Sequence, residues 1–263
     1  IEIAIGDNLL IFPWIRTLVR LNKSFIVQRS VSMREMLMSS KRMSEYMHFA
    51  INEKHEGIWI AQREGRAKDS NDRTQESILK MMAMGGEGTP IERLKSLNIT
   101  PLTISYEYDP CDFLKAKEFQ QKRDDASYKK SQQADLDNMQ TGIFGKKGHV
   151  VYRIAPPINT WIDKYASLPK GEFFKAVAER IDKAIHQGYE LFANNYIALD
   201  LLHKSTDYTT HYTEAEKASF KAYLEQRISL IDLPNKDEIF LRERILTMYA
   251  NPLINHLKSL DKS

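Results

Sequence analysis

Cysteine is nearly absent from this sequence: Cys111 stands alone among 263 residues. That excludes an internal disulfide and a zinc cluster built on thiolates, and it fits a reducing compartment. A lone cysteine is ordinarily a small buried residue rather than a nucleophile, so Cys111 is expected in packing. Long apolar runs are missing as well. The longest, Leu9-Leu10-Ile11-Phe12-Pro13-Trp14-Ile15, is interrupted by proline and falls short of the ~20 residues that span a bilayer. No signal peptide is visible. Charge of one sign is lacking: 38 basic residues face 35 acidic ones, for a net +3. Bulk charge therefore gives no reason to expect nucleic acid as a partner. There is no Walker loop, no dinucleotide glycine pattern and no His-x-x-x-His pair, so no metal site is expected. Gly85-Gly86-Glu87-Gly88 lacks the lysine and preceding strand that a phosphate loop needs. None of the seven histidines stands beside a serine and an acid in a triad-like motif. With 42% hydrophobic and 28% charged residues, the composition is that of an ordinary globular chain.

What is present is an alternation of strand and helix. Residues 1–6, Ile1-Glu2-Ile3-Ala4-Ile5-Gly6, alternate apolar side chains as a strand does. A strand in that position calls for an element to pair with, so upstream sequence is expected. A helix over Leu9–Arg20, capped by Asp7-Asn8, leads to a short strand over 24–28. Ser30 or Ser32 caps a helix to about Glu53, with Met33, Met36, Leu37, Met43, Met47, Ala50 and Ile51 as its apolar stripe. A strand over 57–62, a polar loop over 63–74 and a helix from a Thr74 cap to Met84 follow. Thr89-Pro90 then opens a further helix in the favoured cap-then-proline order. Residues 99–106 and 149–154 read as strands, separated by a charged stretch over 115–140 that reads as helical and mostly solvated. From about residue 171 only helical patterns remain, at 171–186, 189–203, 213–231 and 236–250. The expectation is an α/β domain over residues 1–165, built on a mainly parallel sheet flanked by helices, with an all-helical extension over 166–263.

Chemistry concentrates at strand ends. Open α/β sheets bind ligands at the carboxyl ends of their strands. Directly after the strand Ile58–Gln62 comes Arg63-Glu64-Gly65-Arg66-Ala67-Lys68, rich in cations and containing a glycine that lets backbone approach a ligand. Arginine's bidentate fork and lysine's point charge suit a phosphate, although such a run also reads as a solvated loop. Arg29 follows the strand Phe25–Gln28 in the same way, and adjacent parallel strands would bring it into one crevice with Arg66. Pro101 belongs at the start of its strand, where it costs no ladder bond and can form a wall beside that crevice.

Taken in order, these segments resemble the glycerophosphate acyltransferase family, and the run to about Ile158 resembles a bacterial subfamily with a helical C-terminal extension. Ile26-Val27-Gln28-Arg29 matches the end of the family's second block, Phe-Ile-x-Arg. Glu64-Gly65-Arg66, after the apolar strand Ile58-Trp59-Ile60-Ala61-Gln62, matches its third, a Glu-Gly-x-Arg loop. Ile99-Thr100-Pro101-Leu102 matches the fourth, Ile/Val-x-Pro. Lys23 stands where many members have glycine, and the third block is one residue shorter than its Glu-Gly-Gly-Arg form. The first block, His-x-x-x-x-Asp, is expected upstream of Ile1; His256 and Asp261 share that spacing only by coincidence.

The resemblance implies transfer of a fatty acyl group from acyl-CoA or acyl carrier protein, as acyl thioester, to glycerol-3-phosphate or lysophosphatidate in phospholipid biosynthesis. It implies no cofactor and places no catalytic residue in this chain. Arg29, Glu64, Gly65, Arg66 and Lys68 would bind the acceptor's phosphate, with Pro101 as a site wall. An upstream histidine would take the hydroxyl proton, and without it the rate should fall about 10²–10⁴-fold. The implied location is cytoplasmic and peripheral to the membrane. The rival reading is a non-catalytic phosphate- or lipid-binding module.

Overall fold

The computed structural model describes residues 1–6, 16–17, 19, 21–27, 33–63 and 67–261. The expected helix caps at Asp7-Asn8 and at Ser30 or Ser32 lie outside them, as does most of the helix over Leu9–Arg20. The architecture is mixed α/β, and the chain forms two compact units. The first comprises Ile1–Gly65, Arg73–Pro101 and Pro156–Asp182; the second comprises Arg66–Asp72, Leu102–Ala155 and Lys183–Ser263.

In the first unit, strands β1 (Glu2–Gly6), β2 (Ser24–Val27) and β3 (Ile58–Trp59) form a parallel sheet in the order β2-β1-β3. Parallel strands need crossover connections, and helix α1 (Met33–Asn52) lies in the one that runs from β2 past β1 to β3. The register sets Val27 level with Gly6 but Trp59 level with Ile3, so β3 ends nearer the start of β1. The α1 stripe is only half right: Met47 and Ala50 are buried, whereas Met36 and Leu37 are exposed. Ser44 and His48 complete the buried face, with Ser44 Oγ donating to the Met82 carbonyl at 2.8 Å and His48 Nε2 3.1 Å from the same oxygen.

Helices α2 (Glu76–Met82) and α3 (Pro90–Ser96) follow. Thr89 caps α3 as expected, in a reciprocal capping box with Glu92. Thr74 does not cap α2. Its N–H and hydroxyl both donate to Asp182 Oδ1, at 2.8 and 2.6 Å, and the cap position falls to Gln75.

In the second unit, β4 (Leu102–Tyr106) pairs antiparallel with β5 (Val150–Ile154) in a separate two-stranded sheet. This corrects the expectation of one mainly parallel sheet. Between these strands lie α4 (Asp112–Asp124) and α5 (Gln132–Phe144), and after them α6 (Lys170–Gln187), shared by the two units. The remaining helices are α7 (Ala193–His203), α8 (Glu214–Ser229) and α9 (Glu238–Leu260). One hydrophobic cluster joins Ala116 of α4 to Ile197, Phe220, Leu224, Leu241, Ile245 and Leu253 of the later helices. Helix α9 runs past its expected end at residue 250 and carries Pro252 inside it. An interior proline forfeits one ladder bond, roughly 3 kcal/mol, and burial of Met248, Tyr249, Ala250 and Leu253 around it offsets that loss. Among the described residues no helix is long and apolar enough to cross a membrane.

Candidate functional site

The two cationic segments follow carboxyl ends of the parallel sheet. Val27 ends β2 two residues before Arg29, and Trp59 ends β3 five residues before Glu64. Arg29, Glu64, Gly65 and Arg66 themselves lie outside the described residues. The strands are not adjacent as expected: β1 lies between them, so β2 and β3 are two strand spacings apart, about 9–10 Å. Lys23, at the glycine position of the second block, turns into β2 with φ of 50°, in the left-handed region that favours glycine. Its ammonium pairs with Glu56 at 2.7 Å.

The central strand is anchored by a carboxylate. Glu2 is 4% exposed and accepts hydrogen bonds from Lys54 Nζ at 2.5 Å and Tyr46 Oη at 2.6 Å. These bonds hold its carboxyl below the usual range against the opposing effect of burial. Nothing in the alternation of residues 1–6 marked Glu2 as the buried position.

Pro101 is buried and immediately precedes β4. That strand joins β5 and not the sheet of β2 and β3, while Pro101 itself falls in the first unit with that sheet. Lys68 belongs to the second unit, where its ammonium bonds Glu118, a buried carboxylate on α4. Lys122 reaches the same carboxylate at 3.1 Å. One acid serving two ammoniums leaves Lys68 undercompensated. Burial, with repulsion from Lys122 and Lys130, brings its pKa down to about 8. The Glu118–Lys122 spacing of four was legible on a helix; the burial of Glu118 was not.

The second unit also holds a charge network that no motif announced. Asp112 is fully buried and accepts from Arg227 Nε at 2.5 Å, the Phe113 N–H at 2.6 Å, Tyr223 Oη at 2.6 Å and Tyr249 Oη at 2.9 Å. The guanidinium also donates to the Pro110 carbonyl at 2.5 Å and lies 4.4 Å from the Phe113 ring centroid. Burial pushes the Asp112 carboxyl up while Arg227 and Tyr223 oppose it, and burial beside Asp112 drives the Tyr249 phenol well above its ordinary value. Each oxygen of the carboxylate is occupied, which is the chemistry of a structural ion pair.

Next to this network lies a cavity of about 480 Å³, lined in part by Tyr106, Asp109, Cys111, Lys115, Tyr189 and Tyr249. Of its two lysines, Lys115 is committed to Asp109 at 2.5 Å and Lys147 donates to backbone carbonyls of Ile143 and Gly145. Cys111 is buried, as expected of a packed residue, and its thiol donates to the Asn138 carbonyl at 3.3 Å. Among the histidines, His48 Nδ1 lies 3.1 Å from Ser96 Oγ, but that hydroxyl also donates to the Arg93 carbonyl at 2.8 Å. His211 stacks on Tyr196 at 4.3 Å, and His256 Nδ1 lies 2.9 Å from the His186 carbonyl. Among the described residues no group of His, Cys, Asp and Glu could hold a metal ion.

Comparison with protein-family models finds no match, and comparisons with curated proteins and with solved structures find none either.

Proposed function

We propose that this chain is the acceptor-phosphate-binding part of a glycerophosphate acyltransferase, moving a fatty acyl group from an acyl thioester to glycerol-3-phosphate or lysophosphatidate. The observation that carries the reading is the parallel order β2-β1-β3, which sends the chain into Arg29 and into Glu64-Gly65-Arg66 from carboxyl ends of one sheet. Such ends are where α/β sheets bind ligands. Support also comes from Lys23, whose left-handed backbone occupies the position of the family's glycine. In this reading Arg29 and Arg66 hold the phosphate, and a general base from an upstream His-x-x-x-x-Asp block takes the hydroxyl proton. Fixing the hydroxyl against the thioester removes an entropic part of the barrier.

The test follows thiol release from acyl-CoA, and then from acyl carrier protein, with each acceptor. It compares the chain as it stands, the chain joined to an upstream His-x-x-x-x-Asp block, and that longer chain carrying Arg66→Ala. The chain alone should turn over about 10²–10⁴-fold more slowly than the longer one. Arg66→Ala should raise the acceptor KM by about 10–100-fold, the worth of a hydrogen bond to a charged group. Equal release with and without acceptor, for both donors, would overturn the enzyme and leave the binding module.

A further inference from the structure

The small antiparallel sheet of the second unit is turned inside out. Its register pairs Leu102 with Ile154, Ile104 with Tyr152 and Tyr106 with Val150. Strand alternation therefore puts these six side chains, all apolar or aromatic, on one face, and Thr103, Ser105, Val151 and Arg153 on the other. A one-sided sheet ordinarily buries its apolar face. Here the polar face is the inner one. Thr103 and Ser105 are buried: Thr103 Oγ1 donates to the Ile185 carbonyl at 2.8 Å, and Ser105 Oγ accepts from the Glu190 N–H at 3.0 Å. Arg153 reaches the Tyr189 carbonyl at 3.3 Å and pairs with Glu190. Most of the apolar face is left in water: Tyr106, Val150, Tyr152 and Ile154 are exposed, the last two at 55% and 76%, while Leu102 and Ile104 are half-buried.

The segment leading into β5 continues this character. Helix α5 ends on Ile143 and Phe144, which are 61% and 81% exposed. Gly145-Lys146-Lys147-Gly148 follows. Lys147 Nζ donates to the carbonyls of Ile143 and Gly145 at 2.9 and 3.1 Å, and Lys146 Nζ lies 4.8 Å from the Tyr108 ring centroid. Neither ammonium has a carboxylate partner among the described residues. Of the nearby acids, Glu190 holds Arg153, and Glu107 accepts from the His149 N–H at 2.9 Å and pairs with neither lysine.

We propose that Ile143–Ile154, together with the outer face of β4, is the surface by which the second unit docks on an anionic lipid bilayer. Aromatic and aliphatic side chains enter the headgroup boundary, as tyrosines and phenylalanines do at membrane interfaces. The two lysines find in anionic headgroups the counter-charge that the protein does not provide. A second copy of the chain would cover the apolar face but would bring those lysines no free carboxylate from this region. The inference rests on the proposed function only in expecting a lipid surface, and it names that surface. Its test uses neither acyl donor nor acceptor, so the two fail separately.

The experiment is co-sedimentation of the chain with phosphatidylcholine vesicles, with and without phosphatidylglycerol, at low and physiological salt. Binding should require phosphatidylglycerol and weaken with salt. Lys146→Gln with Lys147→Gln should reduce it about 30-fold, or roughly fivefold for each lysine near an anionic surface. Phe144→Ser with Tyr152→Ser should reduce it at least tenfold with an unchanged melting curve, since both side chains are exposed. Absence of sedimentation, or sedimentation indifferent to both double variants, would overturn the proposal. So would concentration-dependent self-association that Tyr152→Ser abolishes in a chain that ignores vesicles, which would assign the face to a second copy.

Discussion

Glu2 illustrates how a single side chain can hold the middle of a sheet. It lies on the central strand of three, and Lys54 and Tyr46 of the helical crossover region both donate to it. Tyr46→Phe removes one of these bonds to a buried charge and should cost about 2 kcal/mol in urea denaturation. The Glu2 carboxyl titrates below its unfolded value of 4.5. Its contribution is therefore complete above that value and is lost as pH falls through the folded pKa. Below pH 4.5 the wild type should lose stability faster than Glu2→Gln; parallel curves would show that Glu2 is not the titrating anchor. Lys68 has a slope of the same sign, at the alkaline end of the range. Between its folded pKa of about 8 and the ordinary 10.5, the unfolded chain binds more protons, so this residue adds stability as pH rises. Melts from pH 7.5 to 10.5 should show that gain in the wild type and not in Lys68→Gln. A gain of equal size in both would place the titration elsewhere.

At the scale of elements, what was legible depended on whether the signal was local. The Thr89-Pro90 start of α3 was readable because cap, proline and Glu92 lie within one turn. Thr74 carries the same kind of cap signal, but Asp182, more than a hundred residues away, captures both its donors. The stretch around α4 read as solvated because its buried residues are mostly polar. Asp112, Glu118 and Gln120 face inward with Ala116, and Gln120 bonds the Asn235 carbonyl and the Asp237 N–H at 2.7 and 3.0 Å. No hydrophobic period marks such a face. The glycines after α2 exclude a phosphate loop by their neighbours, but only the packing shows what Gly85 does there. A Cβ at Gly85 would come within 2.7 Å of the Glu45 nitrogen and 2.8 Å of the Ser44 carbonyl carbon, both backbone atoms of α1. Gly85→Ala should therefore cost about 1–3 kcal/mol by overpacking, read as a lower denaturation midpoint. An unchanged midpoint would show that α1 can yield.

Across the whole molecule, the chain is divided in a way its linear order hides. Each unit is assembled from three separate stretches, and the two sheets belong to different units. The second unit draws its centre from three distant helices, since Asp112 of α4 is bonded by Tyr223 and Arg227 of α8 and by Tyr249 of α9. Asp112→Ala leaves the guanidinium buried without its partner and should cost about 3–5 kcal/mol. Tyr223→Phe removes one neutral donor and should cost only about 1–2 kcal/mol. Chemical denaturation of both variants checks the ranking, and equal losses would mean that the ion pair is not the dominant contact.

The sequence by itself determined the alternation of strands and helices, the cap of α3, the helical character of the C-terminal stretch and the order of the cationic segments. Each of these is written in neighbours within a turn or in a side-chain period, so local physics suffices to read it. Only the tertiary structure decided that β4 leaves the parallel sheet to pair with β5. It alone decided that Glu2, Asp112 and Glu118 go inside, and that the apolar face of the second sheet stays out. A polar side chain can be buried only where distant segments supply its hydrogen bonds, and an apolar face is covered only where another element arrives. Both depend on partners that no local pattern encodes.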